Sequence, residues 1–288
     1  MFKELHPAAN LIYFCIIIGV TIFSTDPYFV LVTLIFAWLY SFMLKGKKAL
    51  RQNLMLTLPV LILMAFINTI FVHNGATILF YISDLRITLE ALIFGIVGAM
   101  VLSAVIIWFS CFSEIMTSDK LIYIFGKAQP VLGLTLSMIF RFIPLLRERF
   151  LEIRLGQRAM GRKEEKGFFG KIRQFVKELS ILISWSLESS IETADSMEAR
   201  GYGLKGRTSF HLFRLMGRDK MMITIFIILG SVLLIGLIKG VTDIYYYPVI
   251  QMGEWGILRI TVLAAYVIML IIPVAMDLRT EKKWQLSR

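Results

Sequence analysis

The sequence predicts an all-α polytopic membrane protein with about six transmembrane helices and a cytoplasmic pair of long crossing helices. Of the 288 residues, 57% are hydrophobic, and the mean hydropathy is +0.74; soluble proteins contain about 45–50% apolar residues. Several continuous apolar runs reach the roughly 20 residues that span a bilayer. One segment between them, residues 147–207, holds 22 of the 51 charged residues and keeps helical patterning.

The order of the apolar runs predicts six membrane crossings with both termini in the cytoplasm. Basic residues concentrate in the connections on one side, as the positive-inside rule requires, and Lys45, Lys47, Lys48 and Arg51 form the first such loop. The net charge of +11 therefore follows from membrane topology, and we expect no nucleic-acid partner. The connection at residues 73–86 is expected to be an irregular outer loop. The predicted spans are residues 8–23, 28–44, 54–72, 87–109, 221–238 and 257–276.

A further apolar run, residues 131–146, is predicted not to cross the membrane. Arg141 and Pro144 interrupt it, which leaves an uncharged stretch that is short for a span. If this run crossed, the charged segment after it would lie outside, against the positive-inside rule. We therefore expect residues 113–146 to form helices at or partly in the cytoplasmic face.

The charged segment itself predicts two amphipathic helices, at residues 144–160 and 171–199, because their apolar residues recur at helical spacing. In the second helix, Ser186, Ser190 and Ala194 recur every four residues. Small residues at this spacing allow another helix to approach closely, although ordinary helix packing explains them equally well. The chain thus divides into a four-span region at residues 1–110, a cytoplasmic or interfacial region at 111–217 and a two-span hairpin with a basic tail at 218–288.

Recognisable metal-ligand and catalytic motifs do not occur in this sequence. None of its three histidines lies at metal-ligand spacing, and the sequence contains no catalytic GxSxG or HExxH motif. It also has no GxxxxGK[ST] loop, so we do not expect the chain to hydrolyse ATP. Few polar residues occur in the spans, which disfavours a channel and an independent transporter. A stand-alone transporter or an intramembrane enzyme remains the alternative function.

The second long helix ends in Ala199-Arg200-Gly201, and this tripeptide has two interpretations. A glycine after a helix, with a cation nearby, is common for capping alone. Alternatively, Arg200 supplies a planar fork of donors for the carboxylates or carbonyl groups of a partner.

The surrounding motifs resemble those of the transmembrane T component of energy-coupling factor transporters, the EcfT/CbiQ family. In order, they are His6-Pro7, Arg141-Phe142-Ile143-Pro144-Leu145, Gln157-Arg158-Ala159-Met160-Gly161 and Glu198-Ala199-Arg200-Gly201-Tyr202. The resemblance implies a non-catalytic subunit in the plasma membrane of a prokaryote. It also implies two ABC-type ATPases and a membrane S component, which binds a vitamin or metal ion, as partners.

The same resemblance assigns roles to the two helix ends. Ala199, Arg200 and Gly201 would bind one ATPase, with Arg200 as the main contact. Ala159, Met160 and Gly161 would bind the other, but Met160 replaces the expected arginine, and Arg158 or Arg162 would stand in for it. Ser186, Ser190 and Ala194 would serve the crossing of the two helices or the contact with the S component. The substrate is not specified, because another chain would bind it.

Overall fold

The computed structural model describes residues 2–82, 85–161, 167–204, 213–251 and 256–286. Its architecture confirms an all-α polytopic membrane protein, because five of the described helices are long and apolar enough to cross a bilayer. The helices are α1 (Pro7–Phe23), α2 (Pro27–Lys45), α3 (Lys47–Phe71), α4 (Leu89–Ile115), α5 (Ser118–Ala128), α6 (Pro130–Ala159), α7 (Phe168–Ala199), α8 (Gly217–Ile238) and α9 (Ile257–Leu286).

The chain forms two compact units. The first consists of Met1–Thr117 with Phe213–Arg288, and the second of Ser118–Leu212. In the first unit, α1 packs against α4 and α8, both α2 and α3 pack against α4, and α9 packs against α8 and α2. The five helices long enough to span a membrane all lie in this unit: α2, α3, α4, α8 and α9.

The remaining predicted span, α1, is a 17-residue apolar helix. At 1.5 Å per residue it is about 25 Å long, near the lower limit of spanning length. His6 caps it by accepting a hydrogen bond from the Ala8 amide at 3.2 Å, and Pro7 occupies the first helical position, where its missing N–H costs nothing.

An aromatic cluster forms the centre of the first unit. Tyr13 of α1 lies 5.0 Å from Phe2, 5.2 Å from Phe226 of α8 and 6.3 Å from Trp108 of α4, measured between ring centroids. All four side chains are fully buried. Large rings in such edge-on or tilted arrangements contribute most of a core's apolar contact, so this cluster holds α1, α4 and α8 together.

Polar contacts join the connection between α1 and α2 to α9 and to the connection that precedes α9. Asp26 caps α2 by accepting a hydrogen bond from the Tyr28 amide at 3.0 Å, and it also pairs with the guanidinium of Arg259 on α9. Both charged side chains are buried. The Tyr246 hydroxyl donates to the Thr25 carbonyl at 2.7 Å, and burial raises the pKa of Tyr246 to about 12, which keeps this donor protonated.

The connection at residues 73–86, predicted to be irregular, contains paired β-strands, so the predicted lack of regular structure was wrong. Strands β1 (Ile78–Ile82) and β2 (Leu85–Thr88) pair antiparallel. Aromatic and β-branched residues such as Tyr81 and Ile87 favour strands. The run is too short to produce the alternating pattern that predicts a strand from sequence.

In the second unit, α5 and α6 approach each other at a pair of glycines. A Cβ atom added to Gly133 would lie 2.4 Å from the Gly126 Cα atom, which is closer than two carbon atoms can pack. The glycines therefore set the separation of these helices.

Helix α6 also corrects a prediction, because residues 131–146 and 144–160 are one continuous helix rather than two. Pro144 lies inside it and removes one backbone hydrogen bond. The helical face continues through this position, since Leu134, Met138, Phe142 and Leu145 all line the same cavity. The following helix, α7, begins at Phe168, three residues before its predicted start.

Candidate functional site

The C-terminal half of α6 packs against the N-terminal half of α7. The rings of Phe150 and Phe175 lie 5.9 Å apart, and the guanidinium of Arg149 lies 5.0 Å from the ring of Trp185. Cations over aromatic faces are attracted by the ring quadrupole. These contacts fix one helix against the other in a helical hairpin. The C-terminal ends of its two helices are residues 159–161 and 199–204.

A buried carboxylate fixes this packing, and no motif in the sequence predicted its role. Glu178 of α7 accepts hydrogen bonds from Arg154 Nε of α6 at 3.2 Å and from Gln174 Nε2 at 2.9 Å. Its side chain is only 2% exposed, whereas that of Arg154 is 39% exposed. A buried charge is tolerated only when it is paired and hydrogen-bonded. Glu178 therefore ties α7 to α6. The only feature of the sequence that could have predicted this role is a charged residue within an apolar helical pattern.

Helix α7 ends in a complete Schellman motif. The Gly201 amide donates to the Glu198 carbonyl at 2.8 Å, and the Tyr202 amide donates to the Met197 carbonyl at 2.9 Å. Gly201 has φ +77°, a left-handed conformation that side chains with a Cβ atom rarely adopt. The capping interpretation of this tripeptide is thus correct for its glycine.

Capping leaves the arginine side chain available. Arg200 is the last residue before the left-handed glycine, with φ −83° and ψ 7°, and its side chain is exposed. Its guanidinium forms no ion pair within the part of the chain that the structure describes. The backbone hydrogen bonds form the cap, and the exposed Arg200 side chain is free to contact another molecule.

Helix α6 ends with the same backbone geometry. Met160 has φ −75° and ψ 11°, Gly161 has φ +80°, and the Gly161 amide donates to the Arg158 carbonyl at 3.0 Å. The difference lies in the side chain, because Met160 is apolar and 74% exposed. Ala159 and Arg158 are also exposed. Arg162, the other suggested substitute for the missing arginine, lies outside the described residues.

A cavity of about 710 Å³ with a mixed polar and apolar lining lies between the N-terminal half of α6 and the C-terminal third of α7. Arg141, Glu192 and Arg200 line it, together with the hydroxyl groups of Ser137 and Thr193 among others. The structure therefore places Arg141 and Arg200 along the same cavity, although they are distant in sequence.

None of the three small residues of α7 takes part in the side-chain hydrogen bond, ion pair or aromatic contacts described above between α6 and α7. Ser190 Oγ donates to the Ser186 carbonyl of its own helix at 2.6 Å. Ser190 and Ala194 are exposed, and Ser186 is half-buried. The aromatic and ionic contacts with α6 lie nearer the start of α7.

An apolar stripe runs along the exposed face of α7 that contains Ser190 and Ala194. Its members recur at helical spacing and are each 44–65% exposed. They are Ile172, Val176, Ile183, Leu187 and Ile191. An exposed apolar surface of this extent, beside small residues, is typical of an interaction site.

The described residues contain no cluster of three or more His, Cys, Asp or Glu side chains that could hold a metal ion. The C-terminal ends of α6 and α7 are exposed and have similar backbone geometry, and one carries a cationic side chain whereas the other carries an apolar one.

Comparison with known proteins gives one matching family and a consistent set of relatives. The model of the family described as cobalt transport protein, CbiQ, matches residues 1–212. A protein of Streptococcus equi subsp. equi (strain 4047), named energy-coupling factor transporter transmembrane protein EcfT, is 26% identical over 240 residues, which cover 79% of this chain and 89% of that protein.

Shorter alignments connect the chain to two further proteins of the same name. The protein from Lactobacillus helveticus (strain DPC 4571) is 31% identical over 118 residues, or 40% of this chain and 43% of the relative. The protein from Streptococcus thermophilus (strain ATCC BAA-250 / LMG 18311) is 33% identical over 116 residues, or 40% and 44%. The matched region thus spans less than half the length of these two relatives.

The fold and the exposed hairpin define a multi-pass helical membrane protein that presents a pair of long amphipathic helices. The family match covers most of this sequence. The chain accordingly belongs to the CbiQ family, and the resemblance read from its motifs is confirmed.

Proposed function

We propose that the chain is the transmembrane coupling subunit, the T component, of an energy-coupling factor importer. Two ABC-type ATPases bind the ends of α6 and α7, and ATP-driven movement of the ATPases passes through these helices to a substrate-binding S component. The chain itself is not catalytic, and the importer takes up a micronutrient, a vitamin or a metal ion. The observation that carries the proposal is the pair of exposed helix ends with matching backbone geometry at residues 159–161 and 199–201.

The chemistry of Arg200 supports contact with an ATPase. Its guanidinium is exposed on a backbone fixed by the Schellman motif, so little conformational freedom remains to be lost at this end when a partner binds. A planar guanidinium recognises a carboxylate or carbonyl groups through several parallel hydrogen bonds. Ala199 and Gly201 carry minimal side chains beside it, which allows a partner's surface to approach the backbone.

The asymmetry between the two ends supports two unlike contacts. Met160 presents a flexible apolar side chain at the backbone position that Arg200 occupies in α7, and methionine adapts readily to irregular apolar surfaces. One ATPase groove is therefore cation-binding and the other apolar. Two different ATPase subunits would satisfy this difference most directly.

The apolar stripe of α7 suits the S component. It offers Ile183, Leu187 and Ile191 on one exposed face, with Ser190 and Ala194 allowing close approach. In this proposal both termini and residues 111–217 lie on the cytoplasmic side, with residues 1–110 and 218–288 forming the membrane part.

Co-purification of the tagged full chain from its native membrane tests this function. We expect two ABC-type ATPase chains and one small membrane protein to purify with it in mild detergent, and ATP-dependent uptake to require all of them after reconstitution. Substrate uptake or turnover by the chain alone, without ATPases, would instead establish the independent transporter or enzyme.

A further inference from the structure

A groove on the first unit lies outside the surfaces used by the coupling function. It has a volume of about 460 Å³ and is lined by Leu34, Ile35, Trp38, Leu39 and Phe42 of α2 with Leu50 of α3. Its volume is within the range of small-ligand sites, and its lining is almost wholly apolar. Ile35 and Leu50 are 56% and 51% exposed, so the groove opens to the surroundings of a membrane-spanning helix.

Two cations lie beside the end of this groove. Lys47, Leu50 and Arg51 are spaced i, i+3 and i+4 on α3, which places them on one face of that helix. Lys47 and Arg51 are exposed and form no ion pair within the portion of the chain described. Lys45, by contrast, donates to Ser110 Oγ at 2.6 Å. Unpaired cations beside an apolar groove favour a ligand that has both an anionic and an apolar part.

The depth of the groove identifies this ligand. From Lys45, at the basic end of α2, to Leu34 there are eleven residues, or about 16 Å at 1.5 Å per residue. That is about half of the roughly 30 Å hydrocarbon core of a bilayer. A groove confined to one leaflet matches the acyl chain of a phospholipid, whereas a partner's transmembrane helix would need contacts through the whole core.

We infer that this groove binds one anionic phospholipid, with an acyl chain along Leu34, Trp38 and Phe42 and the phosphate headgroup between Lys47 and Arg51. Anionic headgroups are attracted by basic residues at the membrane surface, each of which contributes to binding. The inference does not depend on the coupling role, because none of these residues belongs to α6 or α7.

Native mass spectrometry of the purified full chain tests the site, using micelles that contain equal amounts of dioleoyl phosphatidylglycerol and dioleoyl phosphatidylcholine. We expect the chain to retain phosphatidylglycerol over phosphatidylcholine by about tenfold or more, since two cations face the headgroup. The Lys47→Gln/Arg51→Gln variant should lower this preference to about twofold or less. The matched control is Lys48→Gln/Lys220→Gln, which removes the same charge from exposed positions off that face and should keep the preference.

A second pair of variants tests the acyl chain. Leu39→Trp fills the groove and should lower total phospholipid retention several-fold, whereas Ile62→Trp, at an α3 residue that is 60% exposed and outside the groove, should not. If Lys47→Gln/Arg51→Gln and its control lost the preference for phosphatidylglycerol equally, the attraction would be diffuse and the inference would be overturned. Unchanged retention with Leu39→Trp, or cross-linking of position 39 to a protein rather than to lipid in the intact complex, would also overturn it.

Discussion

Reversing the charge of Arg200 should abolish co-purification of ATPase subunits with the chain. In the proposed complex the guanidinium is hydrogen-bonded and removed from water, and truncating one partner of such a contact costs about 2–5 kcal/mol. Arg200→Glu also introduces repulsion from any carboxylate that the arginine meets. We therefore expect ATPase affinity to fall by more than about thirtyfold, measured as the amount of ATPase retained by the tagged chain and as ATP-dependent uptake.

The structure explains why this variant should still fold. The α7 cap uses the amides of Gly201 and Tyr202, and the exposed Arg200 side chain takes no part in it. Arg200→Lys should give an intermediate loss, because lysine keeps the charge but lacks the planar fork. Lys220→Glu, the same reversal at an exposed residue of α8, is the control and should retain the ATPases. Normal ATPase retention by Arg200→Glu would contradict the assigned role.

The second large effect concerns stability rather than coupling. Asp26 and Arg259 form an ion pair in which both side chains are 5% exposed or less, and removing one partner of a buried pair typically costs about 3–5 kcal/mol. We expect Asp26→Asn, which keeps an oxygen that can cap α2, to lower the free energy of unfolding in detergent by about 3 kcal/mol. Denaturant titration of the purified chain measures this change.

A double variant separates the charge effect from other causes. Replacing Arg259 with methionine in the Asp26→Asn background removes the buried charge that the first change deprives of the Asp26 carboxylate. Most of the lost stability should return, because well-packed apolar residues often replace a buried pair without loss. If the two substitutions simply added, the pair would not be coupled, and the proposed cause of the destabilisation would be wrong.

The sequence predicted the features that depend on local pattern. Continuous apolar runs gave the membrane spans because length and hydropathy suffice to identify them. The C-terminal ends of the two long helices were placed correctly because Gly161 and Gly201 each supply a left-handed residue just beyond the helix.

Features that depend on distant parts of the chain could not be predicted in this way. Asp26 and Arg259 are 233 residues apart, and the local sequence around each of them does not predict that they pair. In the sequence, Glu178 resembles the other charged residues of an amphipathic helix, and its burial follows from the packing of α6 against α7. Helix α6 continues through Pro144, whereas local rules place a helix boundary before a proline.

Photo-cross-linking from the two helix ends tests the central claim most directly. A benzoylphenylalanine at position 202 or 160 replaces Tyr202 or Met160, which are 47% and 74% exposed, and leaves Arg200 in place. In cells that contain the whole transporter, both positions should cross-link to ABC-type ATPase chains, and position 81 on the β-hairpin should not. Absence of ATPase adducts from both ends, or ATPase adducts from position 81, would contradict the account.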